Sequence, residues 1–444
     1  FESVTYYWGG DYEGKTFGEK NRQIVTRVSE NEIVGKLRWF LRTVLARFVA
    51  KNLDNYKEVD ECLYFLGTTY DKALKSDYLF RVEIIDHGRE IHNKDLESLS
   101  RVKLSLMGEE KGKKNQFLPI DGVKFELEIY RLKKSLLKGG QKEECINPDK
   151  RDFLVIGGVL LTLAYLGIGK GANRGFGRFY PKPSKNEYMS EDIKKIRDEI
   201  LSGHIKSVFA LYYSGLGFNE EGGKKRDWRK SKIPLAPLTS ASIEDGGIDV
   251  CDCDQGVDEF EALLCCNKAT IKSTWKAYWK GNINLPGKYL TDPGLKIHTW
   301  IFGLPRDAGK RTGYLLDNNV RRISPVVLSP IKISNKEYKV AILPFLSSKD
   351  FEEVINKGLK HRGIHKPNKV HEVKVSSIIN SNEINKVLWK GEEQAPPQNQ
   401  KFVTGSIPSL IENYIKELHN VISKVCESSF KPSTVKGTGG QRRY

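Results

Sequence analysis

"LGIGKGANRGFGRFYP", Leu166–Pro181, holds five glycines, the basic or amide side chains Lys170, Asn173, Arg174 and Arg178, and no acid. A loop of this composition suits a phosphate-bearing ligand, and its flanks decide which kind. Upstream, Phe153–Gly169 carries no charge over 17 residues. That is the bottom of the range for a membrane span, and Gly157, Gly158, Thr162 and Tyr165 inside it favour a buried core helix. Downstream, Gly177–Tyr180 reads as a short strand. The order is helix, loop, strand. A P-loop needs G-x-x-x-x-G-K-[ST] between a strand and a helix. Here Gly171 follows Gly169-Lys170, and Ala164 stands where the first glycine belongs. The dinucleotide fingerprint also runs strand, loop, helix, and no helix N-terminus faces this loop to hold a pyrophosphate. What remains is a flexible run of backbone N–H groups with Lys170, Arg174 and Arg178 projecting, suited to an extended phosphate chain. An ordinary glycine-rich turn is the competing reading, although such a turn needs only one or two glycines.

Working outward, Phe1–Tyr7 reads as a strand followed by a polar, glycine-containing loop. Asn31–Asn52 is an amphipathic helix, with apolar residues at Ile33/Val34, Leu37, Phe40/Leu41, Val44/Leu45 and Phe48/Val49. Tyr78–Ile85, Arg101–Met107 and Val123–Ile129 read as strands, and Lys133–Lys150 as a polar loop. With helix 152–167 and the last short strand, the order is that of a ferredoxin-like β-α-β-β-α-β module with one extra strand. Pro181 and Pro183 mark a boundary. Ser190, Glu191 and Asp192 then open a helix as an N-cap and acidic first turn. The second half is less regular. Gly222–Lys232 is intensely basic, and Glu244–Glu261 is acidic without a Lys or Arg. Such opposed blocks predict surface insertions. Val326–Ile333 and Tyr338–Phe345 read as a β-hairpin, Glu392–Gln400 as a linker, Ser406–Glu427 as a last helix and Lys431–Tyr444 as a basic tail.

The 444 residues allow two or three domains, and 39% hydrophobic content supports a packed core rather than a disordered chain. A net charge of +17 and a pI near 9.3 point to a polyanionic partner, nucleic acid before a membrane surface. The seven cysteines follow no disulfide framework and no leader-like segment opens the sequence, so a cytoplasmic protein is expected.

On the helix at 31–52, Trp39 lies about 200° round from Leu37. It shares that side with Gly35, Arg42 and Ala46, and Arg38 borders it. A tryptophan among arginines on a polar face suits stacking on an unpaired base or anchoring a protein partner. A third basic stretch, Gly303–Pro330, offers Arg306, Lys310, Arg311, Arg321 and Arg322 in a Gly/Pro-punctuated loop, read as phosphate contacts or a solvated loop.

These stretches together carry a resemblance. "LGIGKGANRGFGRF" resembles the C-terminal glycine-rich loop of the RAMP superfamily, the repeat-associated RNA-binding proteins of CRISPR systems. "IVGKLRWFLRTVLA" (Ile33–Ala46) resembles their first helix. "FGLPRDAGKR" (Phe302–Arg311) with "VRRISPVVL" (Val320–Leu328) resembles the second module of the large two-module subunit of the type III-B Cmr effector complex. The resemblance implies an α+β protein of two ferredoxin-like (RRM-like) modules, 1–188 and 189–444, the second with long insertions. It implies a non-catalytic antiviral-defence role, binding the 3′ part of a guide crRNA and the target RNA beside other Cmr subunits, with no cofactor, metal or membrane partner. The implied RNA-binding residues are Lys36, Arg38, Trp39 and Arg42; Lys170, Asn173, Arg174, Phe176 and Arg178; and Arg306, Lys310, Arg311, Arg321 and Arg322.

Catalytic signals are sparse. His361, His365 and His371 fall in one loop-like segment, and a stand-alone endoribonuclease using a histidine as general acid or base is the alternative function. Cys251, Cys253, Cys265 and Cys266 have the spacing C-x-C-x₁₁-C-C, not the C-x₂-C pairs of structural zinc. The Asp252/Asp254 pair lacks a third ligand at Gly256 for calcium.

Overall fold

The computed structural model describes residues 1–9, 15–20, 23–67, 75–91, 115–132, 145–183, 189–252, 257–271, 299–303, 313–315, 324–334, 337–348, 360–366, 369–374 and 407–429, with isolated positions at 96, 98, 99, 274, 275 and 278. The chain mixes helices with sheets, an α+β protein.

In the first half, β1 (Glu2–Ser3) leads through a hairpin, β2 (Phe17–Lys20) and β3 (Gln23–Thr26), into α1 (Glu30–Phe48). The sequence places a plain loop where that hairpin stands. Ser29 caps α1 by accepting the Asn31 N–H, and Glu30 and Glu32 occupy its first turn, where negative charge suits the helix dipole. Next come β4 (Tyr78–Glu90), β5 (Ile120–Arg131), α2 (Arg151–Leu161, continued by a π turn to Leu166) and β6 (Phe179–Tyr180). Four strands form an antiparallel sheet in the order β4-β5-β1-β6. The expected strand at 101–107 lies outside the described residues.

The expected membrane-length stretch at 153–169 is core. Among the described residues no helix is long and apolar enough to cross a membrane. Within α2, a Cβ on Gly158 would come 2.9 Å from Leu37 of α1. Gly158 therefore leaves room for the Leu37 and Leu41 side chains of α1 to seat against the α2 backbone.

Beyond Pro183, α3 (Glu191–Leu201) and α4 (Ile205–Gly215) fold back on the first half. Tyr212 of α4 stacks on Phe40 and Phe153 and donates its hydroxyl to the Leu154 carbonyl. A three-stranded sheet follows, ordered β7-β10-β9 from β7 (Asp249–Cys251), β9 (Val326–Ser334) and β10 (Glu337–Pro344), with α5 (Glu259–Lys268) and α6 (Ile407–Ser429) packed against it. A second small sheet comprises β8 (Gly313–Leu315), β11 (Lys360–Lys366) and β12 (Lys369–Lys374).

Both predicted insertions are corrected. The basic run 222–232 is a clasp on the C-terminal end of α1. Arg226 donates to the carbonyls of Ala46 and Ala50, Trp228 is buried, and the buried Arg47 donates back to the carbonyls of Arg226 and Ala236. The acidic run supplies β7, an edge strand paired with β10, and the N-terminal capping box of α5, Asp258 with Glu261. Its acids meet bases from elsewhere in the chain: Asp252 pairs with Lys339, and Asp245 with Arg229. Charge runs are solvated only when nothing complementary folds onto them. The cysteine reading is also corrected, because Cys62 and Cys145 form a disulfide. They stand 83 residues apart in sequence, so no local spacing reveals the pair.

Candidate nucleic-acid interface

The glycine-rich loop is more internal than its composition suggests. Most of its backbone N–H groups already have acceptors. Ile168 donates to Gly177, Lys170 to Trp8, Arg174 to Gly171, Gly175 to Ala172, Gly177 to Tyr6, and Arg178 to the Thr5 hydroxyl. The Gly169 N–H serves the Glu32 carboxylate at the start of α1. The expectation of a flexible run of N–H groups offered to phosphate is therefore corrected: buried backbone must be paired, and here the protein pairs it. The glycines have a packing reason instead. Gly177 has φ +65°, and a Cβ there would fall 2.0 Å from the Ile168 carbonyl oxygen.

Arg178 does not project. It is fully buried, and its guanidinium donates to the Ser329 hydroxyl (3.0 Å) and to the carbonyls of Phe176 (2.8 Å), Ala172 (2.8 Å) and Leu328 (3.0 Å). Burial pushes it down to about 9, still charged at neutral pH. Phe176 is equally buried, edge-on to Trp8. Arg178 fastens the loop to β9 of the second half, and Phe176 packs in a cluster with Trp8, Leu118 and Leu263, so both side chains are buried within the protein. Asn173 does part of the same work. Its carbonyl accepts the Leu328 N–H and its amide donates to the Ser324 carbonyl. Lys170 and Arg174 keep partly exposed side chains.

On α1 the four predicted residues divide into two groups. Arg38 donates to the Gly67 carbonyl, and Arg42 pairs with Asp60 at 2.5 Å beside the Tyr56 ring. Trp39 is half-buried, with its ring 4.8 Å from that of Phe345. The helical phase placing it opposite Leu37 stands, but Phe345 of the second half packs against the ring, so only part of Trp39 is exposed. Lys36 lies 4.5 Å above the Trp39 ring. Burial, then the Arg178 charge, pushes its ammonium down to about 7.

The structure thus gathers Lys36, Trp39 and Arg178 at the joint between halves, holds Arg38 and Arg42 on the 56–67 segment, and keeps Lys170 and Arg174 partly exposed, Lys170 close enough to Glu32 for their charges to interact. Arg306, Lys310, Arg311, Arg321 and Arg322 lie outside the described residues. The histidine segment is a β-hairpin rather than a loop, with Gly363 opposite His371 and His361 opposite Val373.

Sequence reasoning missed the buried Arg47 and a cluster of Asp249, Cys251 and His419. The D-x-C alternation of β7 was the available signal for the latter, since residues two apart in a strand share a face.

Residues 7–180 match the family model of the RAMP superfamily. The whole chain shares its fold with a subunit in a cryo-EM structure of the type III-B Cmr-β complex bound to cognate target RNA and AMPPnP in the presence of ssDNA. The TM-score is 0.51 and the identity 12%, covering 96% of this chain and 98% of that one. A second Cmr-β structure bound to cognate target RNA gives a TM-score of 0.48 at 13% identity, covering 95% and 98%. The crystal structure of apo Cmr1 from Pyrococcus furiosus gives 0.42 at 14% identity, covering 78% and 87%. No curated protein matches the sequence.

Proposed function

We propose that this chain, which belongs to the RAMP superfamily through residues 7–180, is a non-cutting, RNA-binding subunit of a type III-B Cmr effector complex. In this reading it helps hold the 3′ part of the guide crRNA and the target RNA. The observation that carries it is the end-to-end fold likeness to a subunit of an RNA-bound Cmr-β complex. The antiparallel order β4-β5-β1-β6, with α1 and α2 between the strands, supports a ferredoxin-like first module. Residues 189–444 are read as the second. The +17 charge supplies affinity for a polyanion. Lys170 and Arg174, the loop's partly exposed basic residues, are read as its phosphate contacts.

The test is a titration of the full chain with single-stranded RNA across salt concentrations, followed by product analysis. Expected are a steep log–log salt dependence, slightly under one unit per phosphate contact, and uncut RNA. A flat salt profile would sink the electrostatic argument. Cleavage abolished by replacing His361, His365 or His371 would overturn the non-cutting role.

A further inference from the structure

Three side chains meet where α6 crosses β7, and none of them is among the residues read as RNA contacts. Asp249 and Cys251 are two residues apart on β7 and so leave the same face of the strand. α6 lays His419 over that face. Nδ1 of His419 stands 2.6 Å from Asp249 Oδ2 and 3.5 Å from Cys251 Sγ, and all three ligand atoms fall within 4.8 Å of one another. Asp249 Oδ1 accepts the Val250 N–H at 2.9 Å, which directs Oδ2 toward the imidazole. Cys251 is buried, whereas the side chains of Asp249 and His419 are 29% and 39% exposed. Solvent therefore reaches the cluster through Asp249 and His419.

We propose that Asp249, Cys251 and His419 bind a zinc-class divalent cation that clamps the last helix to the edge of the β7-β10-β9 sheet. One thiolate, one imidazole and one carboxylate form the donor set of a borderline-soft, four-coordinate ion, whereas magnesium and calcium take oxygen ligands. The spacing agrees. Zinc ligands at about 2.3 Å for sulfur and about 2.0 Å for nitrogen stand about 3.5 Å apart in a tetrahedron, and Sγ···Nδ1 is 3.5 Å. The Nδ1···Oδ2 contact of 2.6 Å is a hydrogen bond. It must open to roughly 3.3 Å for both atoms to become ligands, a movement the two partly exposed side chains can make.

On binding, the Cys251 thiol loses its proton to solvent. The proton that Nδ1 donates to Asp249 in the ion-free state moves through solvent to Nε2, leaving the Nδ1 lone pair for the ion. The carboxylate donates as it stands, and water fills the fourth position. One proton released per ion makes the affinity fall as pH drops. Without an ion the same groups form a hydrogen-bonded strut, and experiment separates the two.

The purified full chain, stripped with a chelator, is titrated with Co²⁺ as a spectroscopic probe and with Zn²⁺ against a chromophoric competitor. Expected are one ion per chain, a thiolate-to-cobalt charge-transfer band, and a melting temperature raised by Zn²⁺. Cys251→Ser should abolish the band, and Asp249→Asn and His419→Gln should each weaken binding at least about tenfold. Cys265→Ser should keep the band. That control matters because buried Cys265 and Cys426 of α5 and α6 lie sulfur to sulfur nearby. Absence of stoichiometric binding by the unmutated chain would overturn the proposal without depending on whether any variant folds. So would a band that survives Cys251→Ser, or one that disappears with Cys265→Ser.

Discussion

The glycine-rich loop 166–181 and the acidic segment 244–261 carry opposite charge, and each has been drawn into the joint between the two halves. The loop sends Arg178 inward to Ser329 and Leu328 of β9. The acidic segment sends β7 to the other side of the same sheet and sets Asp258 and Glu259 at the start of α5, close enough to Asp121 of β5 for their charges to interact. The two differ in how the buried charge is settled. Arg178 is surrounded by acceptors. Glu259 has Asp121 and Asp258 beside it as well as Lys332 and Arg89, its Oε1 is buried without a hydrogen-bond partner, and burial followed by the two aspartates pushes it up to about 8. A satisfied buried charge holds a joint together, while an unsatisfied one strains it.

Four substitutions probe this contrast. Arg178→Met strands three carbonyls and should destabilise the fold by about 3–5 kcal/mol in a denaturant melt. An unchanged melt with weakened RNA binding would return Arg178 to the interface. Trp39→Ala should cost about 2 kcal/mol, because it removes the contact with Phe345 across the joint. If stability holds and only RNA affinity falls, Trp39 is a stacking platform after all.

Glu259→Gln should move stability the other way. A carboxyl raised from 4.5 to about 8 binds its proton more tightly folded than unfolded. Its contribution is therefore greatest below about pH 4.5 and is lost as pH rises through 8. The glutamine variant should be the more stable protein at pH 8–9 and should flatten the decline between pH 5 and 8. Parallel profiles for the two proteins would remove the strained-acid half of the comparison.

Arg174→Ala should have the smallest effect on folding, within about 0.5 kcal/mol. It should nevertheless lower RNA affinity and reduce the salt slope by about one unit. A slope unchanged by the substitution would take Arg174 out of phosphate contact.

Local pattern alone determined much of this protein. The spacing of Ile33, Leu37, Phe40, Leu41 and Val44 specified α1, and the alternation after Val123 specified β5. The uncharged stretch from Phe153 specified a buried helix, and Ser190 with two acids marked the start of α3. Each of these signals is a periodicity or a cap, so a few neighbouring residues contain it. Only the tertiary structure decided which charges were available. Arg174 and Arg178 share one loop and one side-chain chemistry, yet one is partly exposed and the other is sealed against β9, whose residues begin about 150 positions later. Trp39 lies on the polar side of its helix, as its phase requires, and Phe345 covers it. The acids of 244–261 look solvated until Lys339 and His419 arrive from distant segments and Arg229 from the basic run before them. Burial and electrostatic pairing depend on what folds over a residue from far along the chain, and no local stretch of sequence contains that information.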